Sequence, residues 1–199
     1  VAWARELGYA TVVTVGFFDG VHLGHRAVFG RTVEVARERG LPSVGVTFDR
    51  HPREVLTPGQ EPRLLTTVDR KAGLIEEAGI DVLLVLEFTE EFSGWPAEAF
   101  ITRVLVDGLH AAHCAMGASF TFGHRAAGTV EMLIESGPEH GFTAERVDLV
   151  EIDGRRVSSS GVRDALANGD LGWPGVALGR RFVLDGTVIG RCMQRHRHE

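Results

Sequence analysis

Apolar residues fall along this chain in short unbroken runs rather than in polar–apolar alternation. The runs are TVVTV (11–15), PSVGVTF (42–48), DVLLVLEF (81–88), HCAMG (113–117) and RVDLVEI (146–152). Runs this short, rich in Val, Leu and Ile, predict strands buried on both faces of a parallel sheet. The intervening segments carry helical patterns. HRAVFGRTVEVARERG (25–40) sets Val28, Val33, Val35 and Ala36 among Arg and Glu, with Gly40 as its stop. TTVDRKAGLIEEAG (66–79) opens at Thr67, carries Asp69 in its first turn and ends at Gly79. PAEAFITRVLVDGL (96–109) has Pro96 at a plausible first helical position.

Strand alternating with helix predicts a doubly wound α/β domain, whose ligands gather at the carboxyl ends of the strands. Four polar or glycine-bearing segments occupy such ends: GFFDGVHLGH (16–25), FDRHP (48–52), GASFTFG (117–123) and SSSGVRDAL (158–166). The last of these also opens a helical pattern. From about Leu171 the pattern changes. LGRRFVLDGTVIG (178–190) reads as a new strand, and RCMQRHRHE (191–199) as a polar, basic end in which His196 and His198 belong to a charged tail.

Composition narrows the class. With 44% hydrophobic and 24% charged residues the 199-residue chain is an ordinary globular protein. A net charge of −6 argues against broad nucleic-acid binding but leaves room for a local basic pocket around a phosphorylated ligand. Cys114 and Cys192 are too few for a disulfide framework and lack metal-ligand spacing; Cys114 reads as a small buried side chain. No run approaches the ~18 apolar residues of a membrane span, and VAWARELGYA lacks the layout of a secretory signal. The expectation is a cytoplasmic enzyme or binding protein.

The chemistry concentrates in the first segment. His22 and His25 are three residues apart at a helix start, so both can face one ligand. Helix-terminal amides attract an anion there, and imidazoles can hydrogen-bond phosphate oxygens. Gly20 and Gly24 permit close backbone approach. Two surface histidines are the plainer alternative; a metal site lacks a further ligand nearby. Serines at the head of a helix cap its amides or bind phosphate, and Arg163 on the next turn offers a planar fork.

GFFDGVHLGH resembles the signature of the bacterial FAD synthetase module, the FMN adenylyltransferase half of bifunctional riboflavin kinase/FAD synthetases. That group belongs to the HxGH nucleotidylyltransferases, of Rossmann-like fold. VTFDRHPREVL (46–56), MGASFTFGHRAAGTVEML (116–133) and RRVSSSGVRDAL (155–166) resemble the family's further motifs in order and spacing. The resemblance covers about Val12 to Phe182 and implies the reaction ATP + FMN → FAD + pyrophosphate. It implies catalytic roles for His22, His25 and Arg163. Nucleotide contacts are implied for those three and for Gly16, Phe18, Asp19, Gly20, His51, Ser119, Arg156, Ser159 and Ser160. Phe100, Phe120 and Phe122 are implied to meet the flavin. Mg²⁺ would be bound mainly through substrate phosphates, with no metal site on the protein.

The chain departs from the family pattern at three places that matter. Ser119 stands where the family usually has Asp or Asn, Ala118 where it has a polar residue, and Thr129 where Asp is common. These leave open a different nucleotide or acceptor, or a non-catalytic flavin- or nucleotide-binding relative. Residues 1–177 are expected to form the adenylyltransferase-like domain. Residues 178–199 resemble the start of a riboflavin kinase β module without its downstream PTAN segment, so riboflavin phosphorylation is not expected. An edge strand left there could favour weak self-association. Small-molecule substrates, rather than nucleic acid or membrane, are the expected partners.

Overall fold

The computed structural model describes residues 9–184. In chain order β1 (Thr11–Val15) leads into α1 (Leu23–Arg39), β2 (Ser43–Phe48), α2 (Pro52–Leu56), α3 (Val68–Glu77) and β3 (Val82–Leu86). After these come α4 (Glu90–Ser93), α5 (Ala97–Phe100), a π-helical turn (Ile101–Val106) and β4 (Ala111–Gly117). A short β5–β6 hairpin (Thr121–Phe122 and Gly128–Thr129), α6 (Val130–Ser136) and β7 (Thr143–Val147) follow. A second hairpin, β8–β9 (Glu151–Ile152 and Arg155–Arg156), precedes α7 (Ser159–Ala167) and α8 (Gly172–Leu178).

Five strands form one parallel sheet in the order β3-β2-β1-β4-β7. Every residue of β1 and β2 is buried, as expected for strands covered on both faces. The chain first builds outward from β1 to β3, then returns to the other side of β1 for β4. The topological switch point therefore lies between β1 and β4, and a doubly wound sheet opens its ligand crevice there. Three Val-rich runs, the α1 face (Val28, Val33, Val35, Ala36) and the Gly40 stop at φ 64° all match the sequence pattern, and Phe29 joins that buried face. Cys114 is fully buried, and burial pushes its thiol up out of the reactive range.

Three elements differ from their sequence expectation. The fifth strand is Thr143–Val147, not 146–152. It is an edge strand of sequence TAERV, half polar, and its pairing with β4 rather than its hydrophobicity sets its limits. The apolar residues after it serve the β8–β9 hairpin instead. Asp153 (φ 53°) and Gly154 (φ 74°) both adopt left-handed backbone there, the pairing that matches a two-residue loop to strand twist. Pro96 is the N-cap of α5 rather than its first helical residue. The strand expected over 178–190 is not present in its described part: Leu178 closes α8, and residues 181–184 have no strand pairing. Leu178 is buried and Phe182 packs beside it, while Arg180 donates to the carbonyls of Gly20 (2.7 Å) and Val21 (3.1 Å). Cys192, His196, His198 and the rest of that run lie outside the described residues. No helix among the described residues is long and apolar enough to cross a membrane.

Candidate active site

The loop from β1 to α1 is unusually contorted. Phe18 (φ 54°) and Val21 (φ 41°) hold left-handed backbone without being glycine, on either side of Gly20 (φ 79°). For a β-branched valine this conformation is costly and persists only where the surroundings enforce it. Asp19 is the enforcer. Its buried carboxylate accepts from the amides of Leu65 and Thr66 (3.0 Å each), from the Thr66 hydroxyl (3.1 Å) and from the Arg163 guanidinium. Arg163 also donates through Nε to the Arg63 carbonyl at 2.7 Å. The Ser159 hydroxyl donates to the Asp19 carbonyl at 2.9 Å. Through its carboxylate and its carbonyl, Asp19 thus ties together the β1–α1 loop, the segment before α3 and α7.

That loop delivers His22 as the N-cap of α1, its Nδ1 accepting from the His25 amide at 3.2 Å. An accepting Nδ1 puts the proton of a neutral ring on Nε2, which is then a donor. The rings of His22 and His25 stack with centroids 3.6 Å apart and planes 18° from parallel. Gly24 makes this possible, because a Cβ there would stand 3.1 Å from the His22 ring. Phe18 meets the edge of His25 at 5.3 Å and of Phe29 at 4.7 Å, bracing the pair from the core side. Burial pushes the His22 imidazole down to about 4, against a smaller opposing pull from its backbone hydrogen bond and Asp19. Burial, then His22 and Lys71, hold His25 well below the usual imidazole range. Both rings are therefore neutral at pH 7, and His25 Nδ1 is buried without a hydrogen-bond partner.

The His22 shift has a testable sign. An imidazole lowered from 6.5 to about 4 on folding leaves stability intact above 6.5. Stability is then lost as pH falls from 6.5 through about 4, on the order of 3 kcal/mol from this ring alone. Melting temperatures measured from pH 7 to pH 4 should fall more steeply for the native protein than for His22→Gln. Parallel curves would contradict the assignment.

Three cavities adjoin along the carboxyl edge of the sheet. A chamber of about 400 Å³ is lined by six phenylalanines: Phe48, Phe88, Phe92, Phe100, Phe120 and Phe122. Phe120 and Phe122 stack 5.6 Å apart, and Phe100 lies 5.0 Å from Phe122. A central cavity of about 300 Å³ shares Phe48 and Phe120 with that chamber and adds Gly16, Phe18, His25 and Ser119. A third, of about 270 Å³, shares His25 and Ser119 with the second and is closed by His22, residues 147–150, Arg156 and Ser158 to Ser160. The three make one trough, aromatic at one end and polar at the other, with His25 at its middle.

The structure brings together most of the expected site residues. Ser119 stands exposed between two cavities, and Arg156 faces the polar one with no ion-pair or hydrogen-bond partner among the described residues. The three serines divide their work. Ser158 caps α7 by accepting from Gly161 (3.1 Å), Ser159 holds Asp19, and Ser160 is exposed at the helix head. Others stand apart from the trough. Asp19 and Arg163 line none of the three cavities; they are occupied with each other. His51 caps α2, its Nδ1 accepting from Arg53 at 3.1 Å, and its ring meets the edge of Phe17 at 4.8 Å. Burial first and the Arg163 charge second lower its imidazole. Sequence reasoning missed Phe48, Phe88 and Phe92. The signal available was positional: Phe48 and Phe88 sit at or just past the ends of β2 and β3, where a doubly wound sheet exposes side chains to its crevice.

Comparison with known proteins agrees with this arrangement. The profile of the FAD synthetase family matches residues 5–161. A bifunctional riboflavin kinase/FMN adenylyltransferase of Pseudomonas fluorescens is 42% identical over 178 residues, 89% of this chain and 57% of that protein. The Bacillus subtilis protein of the same name is 36% identical over 186 residues, 93% of this chain and 58% of that one. Among solved structures, a macrolide-efflux protein from Streptococcus pneumoniae superposes with a TM-score of 0.75 at 25% identity, over 90% of this chain and 61% of that one. The chain spans somewhat under three-fifths of the length of these curated relatives. A five-stranded parallel sheet, a histidine pair at the switch point and a family match over most of the sequence converge: the chain belongs to the FAD synthetase family.

Proposed function

We propose that this chain is an FMN adenylyltransferase, joining the phosphate of FMN to the adenylyl group of ATP to give FAD and pyrophosphate. The observation that carries the reading is the trough itself. It offers an aromatic chamber of flavin character at one end and a serine-bearing helix head beside Arg156 at the other. His25 borders the central and the polar cavities, at the junction where the two substrates would meet. The named activities of the relatives point the same way.

In this reading an oxygen of the FMN phosphate attacks the α-phosphorus of ATP. The new P–O bond forms as the bond from the α-phosphorus to the bridging oxygen breaks, and that electron pair leaves on pyrophosphate. The nucleophile is already anionic at neutral pH, so no proton need be removed and no covalent enzyme intermediate is required. What remains is positioning and charge stabilisation. Neutral His22 and His25 act as hydrogen-bond donors to the α-phosphate region. The free amides at the head of α7, the Ser160 hydroxyl and Arg156 receive the departing pyrophosphate. Ser159 and Arg163 act through Asp19, fixing the loop that carries the histidines. Gly16, Phe18 and Gly20 shape that loop, and His51 holds the neighbouring one. Phe100, Phe120 and Phe122, with the three further phenylalanines, enclose the isoalloxazine.

Among the described residues no group of three or more His, Cys, Asp or Glu side chains is arranged to hold a cation. Mg²⁺ is assigned to the phosphate oxygens and water, its usual preference beside phosphates, and no step is routed through a protein-bound ion. The reading is limited to adenylyl transfer, in a cytoplasmic setting where both substrates are available.

The test is FAD formation from FMN with ATP and Mg²⁺, run beside CTP and GTP. FAD with ATP alone supports the reading, including its tolerance of Ser119. Transfer from another nucleotide redirects it, and bound substrates without turnover abandon catalysis. Phe120 supplies a finer test because it is only half-buried and its loss costs the core little. Phe120→Ala is expected to raise the KM for FMN about tenfold, near 1.4 kcal/mol of lost ring contact, while kcat changes less than threefold. An unchanged KM would remove Phe120 from the flavin wall.

A further inference from the structure

Lys71 is the least expected group near the trough. It lies in the second turn of α3, is 2% exposed, and points its ammonium beneath the carboxyl ends of β1 and β2. Nζ donates to the Phe17 carbonyl (3.1 Å), the Thr47 hydroxyl (2.9 Å) and the Phe48 carbonyl (3.2 Å). These three acceptors use its three protons. The ammonium also stands 4.3 Å above the Phe17 ring. Phe17 and Phe48 themselves line the central cavity.

The hydrogen bonds are complete, but the charge is not balanced. No ion pair joins Lys71 to a carboxylate among the described residues. Asp19 and Asp49 are the carboxylates whose fields reach it, and each is taken by another cation, Asp19 by Arg163 and Asp49 by Arg50. A buried cation without its own counter-ion is costly, and a neutral donor would tie the same strand ends together at less expense. Its positive field is thus left over for something not in the protein. His25, on the same side, already registers that field.

We propose that Lys71 is a positioning residue of the adenylyl-transfer site, whose buried ammonium joins the β1 and β2 ends beneath His25 and whose unbalanced charge is completed by substrate phosphate. The proposal rests on the functional reading above but makes a separate claim about where the anion's counter-charge resides. It also explains how two neutral histidines can serve a polyanion: the fixed positive charge is in the floor rather than in the rings. Burial lowers the Lys71 ammonium to about 8, with Asp19 and Asp49 opposing, and its charge helps to hold His25 on α1 below the usual imidazole range. A phosphate overhead must raise it again.

The test uses the whole chain with lysine Cε labelled for NMR; Lys71 is the one lysine in the sequence, so the label reports on it alone. Its titration midpoint, near 8 in the free protein, is expected to rise by about one pH unit or more with saturating pyrophosphate, a tenfold tighter hold on the proton. A midpoint that does not move, or a protein that binds neither pyrophosphate nor ATP, overturns the proposal. In turnover, Lys71→Met should lose about 10- to 100-fold in kcat with KM for FMN within threefold, and Lys71→Arg should recover part of it. A folded Lys71→Met with kcat within twofold of the native value would also overturn it. Should Lys71→Met fail to fold, the native titration decides alone, since the sequence holds no other lysine. Native protein that makes no FAD from any nucleotide removes the functional reading, while the pyrophosphate titration still decides whether Lys71 faces a phosphate site.

Discussion

Asp19→Ala is expected to destabilise the protein by about 3–5 kcal/mol, the range for removing one partner of a buried ion pair. The substitution strands four donors at once: the Arg163 guanidinium, the amides of Leu65 and Thr66, and the Thr66 hydroxyl. Arg163 keeps its charge, only 17% exposed, with the carbonyl of Arg63 as its remaining partner. The amides of Leu65 and Thr66 lose the carboxylate that satisfied them. The left-handed backbone at Phe18 and Val21 loses the clamp that holds it. Urea unfolding of the native protein, Asp19→Ala, Arg163→Leu and the double variant would measure this. The double variant should lose less than the two single losses together, because removing both partners leaves no orphaned charge. A cost below 1 kcal/mol for Asp19→Ala, or strict additivity, would mean that the loop is held by something else. Activity should fall with stability here, since the same carboxylate holds the loop that carries His22 and, through Arg163, α7.

That result bears on what could be read from the sequence. The buried strands and α1 were legible because burial on both faces leaves an unmistakable apolar run and a helix leaves its 3.6-residue stripe. The edge strand β7 was not, because its residues are half polar and only the register with β4 reveals it. The site was legible as a set of segments, since topology alone sends the ends of parallel strands to one edge. Roles within it were harder. Asp19 and Arg163 both carry charge suited to phosphate, and nothing in the spacing of residues 144 positions apart says that they face each other. Lys71 stood out only as the one lysine among 21 basic residues, which says nothing of where its side chain points. On a helix beside Asp69 and Arg70 it resembles any solvated lysine, and only the docking of α3 under the strand ends turns it inward. The aromatic chamber was half legible: Phe120 and Phe122 share a motif, whereas Phe48, Phe88 and Phe92 come from three separate elements.

His25→Ala is expected to lower kcat about 10²- to 10³-fold while the Kd for ATP moves only a few-fold, the signature of a donor that matters most in the transition state. The structural case is that His25 borders both the central and the polar cavity, and its Nδ1 is buried without any partner in the protein. The substitution also removes the ring on which His22 stacks, so His22 could drift and contribute to the loss. His25→Gln separates the two effects. It keeps a hydrogen-bonding group but forfeits the stack, whereas His22 retains its cap because the bond comes from the backbone of residue 25. If the donor is what counts, Gln should recover a part of kcat that Ala does not. If the stack is what counts, both variants should fall equally, and the His22 titration near 4 should shift in both. Turnover of His25→Ala equal to the native enzyme would remove His25 from the reaction, and with it the argument that places the two substrates' meeting point at the middle of the trough.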